Sequence, residues 1–250
     1  MNSLKYTHSK LIVKLIVKNA LFCSVRDSTS SRNLQKYNFY KDKLYTLSDL
    51  VFSEISDLEK GQISKKIIGI NLRYFTKKHY NNETINKYNL EMSKFLEYLI
   101  NKYDCHLLFI PFCKEPHQND LLALDKLSLS KECKEQYLSI SKWNNFKELN
   151  SEYLKCSNFI GVRFHSNCLA LKANIPLMAI SYDEKTDNLM NDINMDKFCL
   201  HIPEVSFDKL KYIWNYCEKN RDEIIKHEAV VTKELYLKSR NHFNLLKKYI

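Results

Sequence analysis

Residues 158–187 read NFIGVRFHSNCLALKANIPLMAISYDEKTD, and this stretch predicts a strand, a turn, a helix and a second strand. A short apolar run ends at Gly161, an amphipathic segment follows over 167–173, and a second apolar run covers 177–180. The hydrophobic spacing therefore changes from that of a strand to that of a helix and back. This change is typical of a βαβ unit.

Cationic and polar side chains follow both predicted strands of this unit. Arg163 and His165 come directly after the first strand, and Lys185 follows the second. Because ligands of open parallel sheets bind outside the carboxyl ends of the strands, we expect these side chains to share one site. A guanidinium matches carboxylate and phosphate groups, an imidazole can carry a proton, and a helix N-terminus favours an anion. The residues alone predict an anion site.

Alternating apolar runs and amphipathic segments extend this pattern over the chain from residue 66 onward. Strands are predicted over 67–72, 105–110, 137–140 and 197–202, and helices over 85–102, 119–129, 145–156, 185–194 and, as a pair, 206–248. The helix over 85–102 is expected to bury Leu90 with its other large apolar residues. The alternation predicts an α/β fold with a doubly wound parallel sheet and helices on both faces. Arg73 follows the strand 67–72 and is a further candidate for the anion site.

The N-terminal part of the chain has a different pattern. A helix is predicted over 3–20, a second helix over 30–36 begins after the capping candidates Asp27 and Ser28, and 47–52 forms a buried turn. Lysines interrupt the apolar stretch 11–18, which is too short to span a bilayer, so it is expected to form a helix with one apolar face. The polar residues 53–65 are a candidate linker.

The charge, the cysteines and the motifs that are missing exclude several classes of function. The formal net charge is +10, but basic and acidic residues are interspersed, which favours a protein that handles anionic substrates over one that binds nucleic acid. Eight cysteines occur without a CxxC pair, which indicates free thiols in a reducing compartment and predicts a cytoplasmic protein. No histidines have the spacing of metal ligands, and there is no P-loop, GxGxxG or GxSxG motif.

Short motifs along the chain occur in a fixed order. They are CSVRDS at 23–28, SDLVF at 48–52, IGINLR at 68–73, LFIPF at 108–112, GVRFH at 161–165 and AISYDEK at 179–185. Their order resembles that of the polysaccharide pyruvyl transferase family, which has a G-M-R-x-H turn followed by a helix, a Gly-x-Pro turn and an S-Y-x-x-K strand end. Asn174 stands where the family usually has that glycine, and asparagine tolerates the same backbone conformation. The resemblance covers roughly residues 10 to 225.

The resemblance implies a fold, a reaction and a set of site residues. The fold is the C-terminal half of a GT-B-like architecture, with a Rossmann-like donor-binding domain at 60–250 and the remnant of an N-terminal domain at 1–59. The reaction moves a pyruvyl group from phosphoenolpyruvate to a sugar of a cell-surface polysaccharide or glycan precursor and forms a ketal. Arg73 and Arg163 would hold the anion, and His165 would bind phosphate or donate a proton. Arg163 and His165 are therefore the expected catalytic residues, and Lys185 is a weaker phosphate contact.

The same resemblance implies partners and leaves alternatives open. Phosphoenolpyruvate is the donor, the acceptor is a glycan or a lipid-linked sugar, and no cofactor or metal is expected. Nucleic acid is not an expected partner, and no segment spans a membrane, although peripheral membrane association is compatible with the sequence. The alternatives are a catalytically incomplete member of the family, a module that binds anionic ligands without chemistry, and a nucleotide-sugar glycosyltransferase.

Overall fold

The computed structural model describes residues 7–36, 43–54, 66–113, 115 and 119–248, which form two parallel sheets. The strands β1 (Cys23–Val25) and β2 (Leu44–Thr46) pair with each other in a small sheet. The larger sheet contains β3 (Ile67–Asn71), β4 (His106–Phe109), β5 (Leu138–Ile140), β6 (Asn158–Gly161), β7 (Leu177–Ser181) and β8 (Cys199–His201).

The order of strands in the larger sheet is β5-β4-β3-β6-β7-β8, and all neighbouring strands are parallel. The chain therefore enters the larger sheet in the middle at β3 and adds β4 and β5 toward one edge. It then returns to the middle at β6 and adds β7 and β8 toward the other edge. This reversal between β3 and β6 creates the crevice in which open α/β sheets bind ligands. The predicted doubly wound parallel sheet is confirmed.

Helices cover both faces of the larger sheet. The helices are α1 (Thr7–Asn19), α2 (Ser28–Gln35), α3 (Asn82–Tyr103), α4 (Leu121–Leu124), α5 (Lys131–Tyr137), α6 (Phe146–Leu154), α7 (Phe164–Lys172), α8 (Glu184–Asp192), α9 (Phe207–Lys219) and α10 (Arg221–Leu246). Every residue of β6 and of β7 is buried. Because successive residues of a strand point to opposite faces, this burial requires cover on both sides.

Two glycines allow close packing next to the crevice. A Cβ atom added to Gly69 of β3 would lie 2.5 Å from the Phe159 ring and 2.7 Å from Cys156 Sγ. A Cβ atom added to Gly161, at the end of β6, would collide with the side-chain amide of Asn167 in α7. The absence of a side chain at Gly161 therefore lets the chain turn from β6 directly into α7.

Some local predictions are wrong. Leu90 is exposed, because it lies two residues from Met92 and hence on the opposite face of α3 from the buried residues. The predicted helix over 119–129 is only the short α4, and α5 was not predicted, although Ser130 caps it by accepting a hydrogen bond from the Cys133 N–H.

The predicted linker and the boundary between 1–59 and 60–250 fall in a region that is largely outside the described residues. Of the linker, only the first two residues belong to the described range 43–54. The division into two domains therefore stays a prediction.

The small sheet is joined to the C-terminal helix α10. The Ser48 hydroxyl donates a hydrogen bond to the Leu235 carbonyl, and His242 Nε2 lies 3.0 Å from the Ser48 carbonyl oxygen. His242 Nδ1 lies 3.3 Å from the Ser24 hydroxyl. Phe52, in a short 3-10 turn after β2, is buried in the main hydrophobic core. These contacts fix the ends of β1 and β2 beside the larger sheet.

Candidate anion-binding site

The turn between β6 and α7 is tied to the end of β3. Arg163 caps the N-terminus of α7, and its backbone N–H donates to Asn71 Oδ1 at 3.0 Å. The Val162 N–H donates to the Asn71 carbonyl oxygen at 3.1 Å. Asn71, the last residue of β3, therefore holds the two strand ends together at the crevice.

A buried carboxylate orients the guanidinium of Arg163. Both Nε and an Nη of Arg163 donate to Asp120 Oδ1, at 3.0 and 2.6 Å, and Asp120 is fully buried. The other carboxylate oxygen accepts the backbone N–H groups of Phe112 and Cys113, at 2.9 and 3.0 Å. Burial alone would lower the pKa of Arg163, but the Asp120 carboxylate outweighs that effect and raises it. Asp120 thus positions the Arg163 side chain, which the sequence did not predict.

Arg73 is held by an aromatic ring and a histidine. Its guanidinium carbon lies 4.1 Å from the centre of the Tyr182 ring, and one Nη lies 3.0 Å from His79 Nε2. Since a guanidinium only donates, His79 Nε2 accepts this hydrogen bond. Arg73 Nε is buried and makes no hydrogen bond with any described residue.

The positive charges of both arginines act on the groups around them. Burial lowers the pKa of His79, and the charges of Arg73 and Arg163 lower it further. Burial raises the pKa of Tyr182, whereas the same two arginines oppose that shift. The two guanidinium groups predicted from the strand ends therefore act on the same part of the crevice.

His165 faces two residues from the small sheet. Its exposed imidazole lies 3.8 Å, measured from Nε2, from a carboxylate oxygen of Asp49. Arg26 pairs with the same Asp49 carboxylate at 2.9 Å, and its guanidinium carbon lies 4.3 Å from the centre of the Phe164 ring. Arg26 and Asp49 belong to the motifs CSVRDS and SDLVF and were not predicted as site residues.

These side chains surround an open pocket with a volume of about 190 Å³. Three of the four predicted residues line it, namely Arg163, His165 and Lys185. Arg26 and Tyr182 also line it, whereas Arg73 lies behind the Tyr182 ring and does not line the pocket. The lining contains the basic residues Arg26, Arg163, His165 and Lys185, and the one acid among its described residues, Asp183, accepts the backbone N–H groups of Lys185 and Thr186 at the start of α8. Such a lining fits a small anion with carboxylate or phosphate groups.

The described residues do not suggest a metal site. Over 7–36, 43–54, 66–113, 115 and 119–248, no three His, Cys, Asp or Glu side chains lie close enough together to hold an ion. No helix in the described part of the chain is long and apolar enough to cross a membrane.

Asp49 is expected to make stability depend on pH. Burial would raise its pKa, but the His165 imidazole 3.8 Å away and hydrogen bonds from the Val51 N–H and from Arg26 outweigh burial and hold the pKa well below its ordinary value of 3.8. The ionised carboxylate therefore stabilises the folded state above pH 3.8, and this contribution is lost as the pH falls further. Asp49→Asn should lower the free energy of unfolding at pH 7 by about 1–3 kcal/mol.

Urea unfolding at pH 7 and pH 3 would check this expectation. The difference between wild type and Asp49→Asn should shrink at the lower pH, and Asp125→Asn, at an exposed position, should match wild type at both. An equal difference at the two pH values would show that the Asp49 charge does not contribute.

The chain is similar to a known protein family. The family model for polysaccharide pyruvyl transferase matches residues 2–184, more than half of the chain. No curated protein matches the chain at a significant level.

Solved structures show the fold. A UDP-GlcNAc 2-epimerase from Methanocaldococcus jannaschii matches 83% of this chain and 57% of its own, with 12% identity and a TM-score of 0.57. The Staphylococcus aureus protein MnaA, solved with UDP, matches 94% and 61%, with 12% identity and a TM-score of 0.56. TarM matches 98% and 45%, with 14% identity and a TM-score of 0.54. These matches confirm a GT-B-like fold, and the chain spans about half the length of these structures.

Proposed function

Because the chain belongs to the polysaccharide pyruvyl transferase family, we propose that it moves a pyruvyl group from phosphoenolpyruvate to a sugar of a cell-surface polysaccharide or glycan precursor and forms a ketal. One observation supports the donor in particular. The pocket at the ends of β3 and β6 is lined by cationic side chains, and one of them, Arg163, is oriented by the buried Asp120. Phosphoenolpyruvate carries both a carboxylate and a phosphate, the two groups that a guanidinium binds best.

The reaction assigns different tasks to the residues of the pocket. One acceptor hydroxyl adds to the C2 atom of the enolpyruvyl group, and a proton is added to the methylene carbon. A second hydroxyl then forms the other C2–O bond while the bond to phosphate breaks and inorganic phosphate leaves. Arg163 would hold the anionic groups from the lining of the pocket, Arg73 would add positive charge from behind the Tyr182 ring, and Lys185 would contact the phosphate. His165 is exposed at the N-terminal turn of α7, where it would bind the phosphate or donate the proton. The transfer as proposed uses no cofactor and no metal.

Donor binding tests the pocket assignment without an acceptor. His165→Gln and Lys185→Gln each replace an exposed side chain of the pocket, so both variants should still fold. Each variant is expected to weaken phosphoenolpyruvate binding by about 10- to 100-fold, because a hydrogen bond between charged partners is lost. Calorimetric titration measures this change, with Lys131→Gln, an exposed lysine of α5, as the control. Unchanged affinity in both pocket variants would reject the assignment.

Transfer itself is tested by phosphate release from phosphoenolpyruvate in the presence of sugar acceptors. Wild type is expected to release phosphate only when an acceptor is present, and the ketal should appear in equal amount. Release of UDP from a UDP-sugar supplied in place of phosphoenolpyruvate would instead support a nucleotide-sugar glycosyltransferase.

A second candidate function is binding of phosphoenolpyruvate without transfer. The chain spans about half the length of the solved structures that it matches, and in a two-domain architecture the facing domain forms the other wall of the cleft. Under this alternative, wild type binds phosphoenolpyruvate and the pocket variants bind it more weakly, but no acceptor causes phosphate release.

A further inference from the structure

Helix α1 exposes an unusually apolar surface. Its large aliphatic residues that face solvent are Leu11, Ile12, Leu15 and Ile16, whose exposed fractions are 59%, 54%, 53% and 63%. At 100° per residue these positions form one continuous stripe along the helix. A stripe of this kind marks a surface that binds a partner.

The exposed stripe is not needed for the packing of α1 on the rest of the protein. Val17 of α1 is buried against Leu34 of α2, and Val13, Cys23 and Val25 pack against this pair. Val13 and Val17 lie on the opposite side of the helix from Leu11 and Leu15. The helix is therefore apolar on two sides, and only one of them is used within the described structure.

A row of lysines runs beside the exposed stripe. Lys10, Lys14 and Lys18 follow each other at intervals of four residues, which places them on one side of α1. Helix α1 itself contains no acidic residue. The surface therefore combines aliphatic groups with a uniformly positive edge.

We propose that α1 binds the surface of an anionic lipid bilayer, with its aliphatic stripe in the acyl boundary and its lysines at the headgroups. A basic amphipathic helix that is too short to cross a bilayer binds in this way, in the plane of the interface. Anionic headgroups supply the negative charge that the lysines Lys14 and Lys18, both exposed, match.

A second copy of the chain is a poorer partner for this surface. A symmetric dimer would place the lysine rows of two α1 helices against the same apolar patch, and like charges would then repel. Lysine is also depleted at protein interfaces in general. A lipid surface brings only complementary charge and adapts to the shape of the helix.

Flotation with lipid vesicles tests the proposal on the whole chain. Wild type is expected to float with vesicles of phosphatidylglycerol and phosphatidylcholine and to stay unbound with phosphatidylcholine alone. Ile12→Ser/Ile16→Ser should reduce the partition coefficient at least tenfold, because two large aliphatic groups no longer leave water. Lys14→Gln/Lys18→Gln should cause a similar loss on anionic vesicles.

Matched controls distinguish vesicle binding through α1 from nonspecific binding of the protein to vesicles. Leu90→Ser/Val230→Ser removes two other exposed aliphatic residues, and Lys226→Gln/Lys238→Gln removes two other exposed lysines. Both controls should float like wild type. The proposal is rejected if wild type does not float, or if the controls lose as much binding as the α1 variants. It is also rejected if light scattering finds a dimer that Ile12→Ser/Ile16→Ser dissociates while vesicle binding is absent, since the stripe is then an interface between copies.

Discussion

Replacing Asp120 by alanine is expected to lower the free energy of unfolding by about 3–5 kcal/mol, the cost of removing one partner of a buried ion pair. Asp120 is completely buried, and the Arg163 side chain that it pairs with is only 13% exposed. The substitution leaves this guanidinium without its carboxylate. It also leaves the N–H groups of Phe112 and Cys113 without their acceptor.

Denaturation by urea measures this effect. Asp120→Asn keeps one oxygen acceptor and should be destabilised less than Asp120→Ala. Asp125→Ala removes an exposed carboxylate in the same region and should change stability by no more than about 0.5 kcal/mol. If Asp120→Ala unfolds at the same urea concentration as Asp125→Ala, the pair with Arg163 does not hold the crevice together.

Replacing Arg163 by lysine is expected to reduce phosphate release from phosphoenolpyruvate by about 100- to 1000-fold, as when a fixed donor to a developing charge is lost. Lysine keeps the positive charge next to Asp120, so the fold should survive. It cannot, however, satisfy Asp120 through two nitrogens and also present a planar donor to the ligand. Because donor binding is proposed to use the same guanidinium, phosphoenolpyruvate affinity should also fall by about 10- to 100-fold.

Arg221 provides the matched control for this substitution. It donates to Asn158 Oδ1 at 2.9 Å and to the Ser157 carbonyl oxygen at 2.6 Å, at the opposite end of β6 from Arg163. Arg221→Lys removes a comparable guanidinium, one that contacts the start of β6, without touching the pocket. It should affect stability and leave donor affinity unchanged. Equal losses of affinity in Arg163→Lys and Arg221→Lys would mean that the effect of Arg163 is structural.

Much of the fold could be predicted from the sequence, because strands that are buried on both faces are visible as short apolar runs. The run that ends at Gly161 and the polar residues after it gave the central βαβ unit and the position of Arg163. The boundaries were less accurate where local signals conflict. Leu90 is an example, since a count of apolar residues in a helix does not reveal which of them share a face.

The candidate site was predictable only in part, because its remaining residues arrive through long-range contacts. Asp120 lies 43 positions before Arg163 in the chain, and no periodic pattern marks a single buried carboxylate. Arg26 and Asp49 follow the two strands of the small sheet. Asp49 lies near His165 because His242 of α10 holds the chain after β2 in place. His79 was not predicted as a site residue, since its contact with Arg73 depends on the conformation of the loop.

The attachment of the small sheet to α10 also determines the order in which the protein can assemble. The contacts from Ser24 and Ser48 to His242 join positions that are 218 and 194 residues apart in sequence. Contacts of such high sequence separation form slowly, and during synthesis they must wait until the last helix has left the ribosome. The segment that carries Arg26 and Asp49 is therefore synthesised before α10, and it is held in place only after α10 has formed. A nascent chain that lacks α10 would therefore lack the contacts of Ser24 and Ser48 with His242.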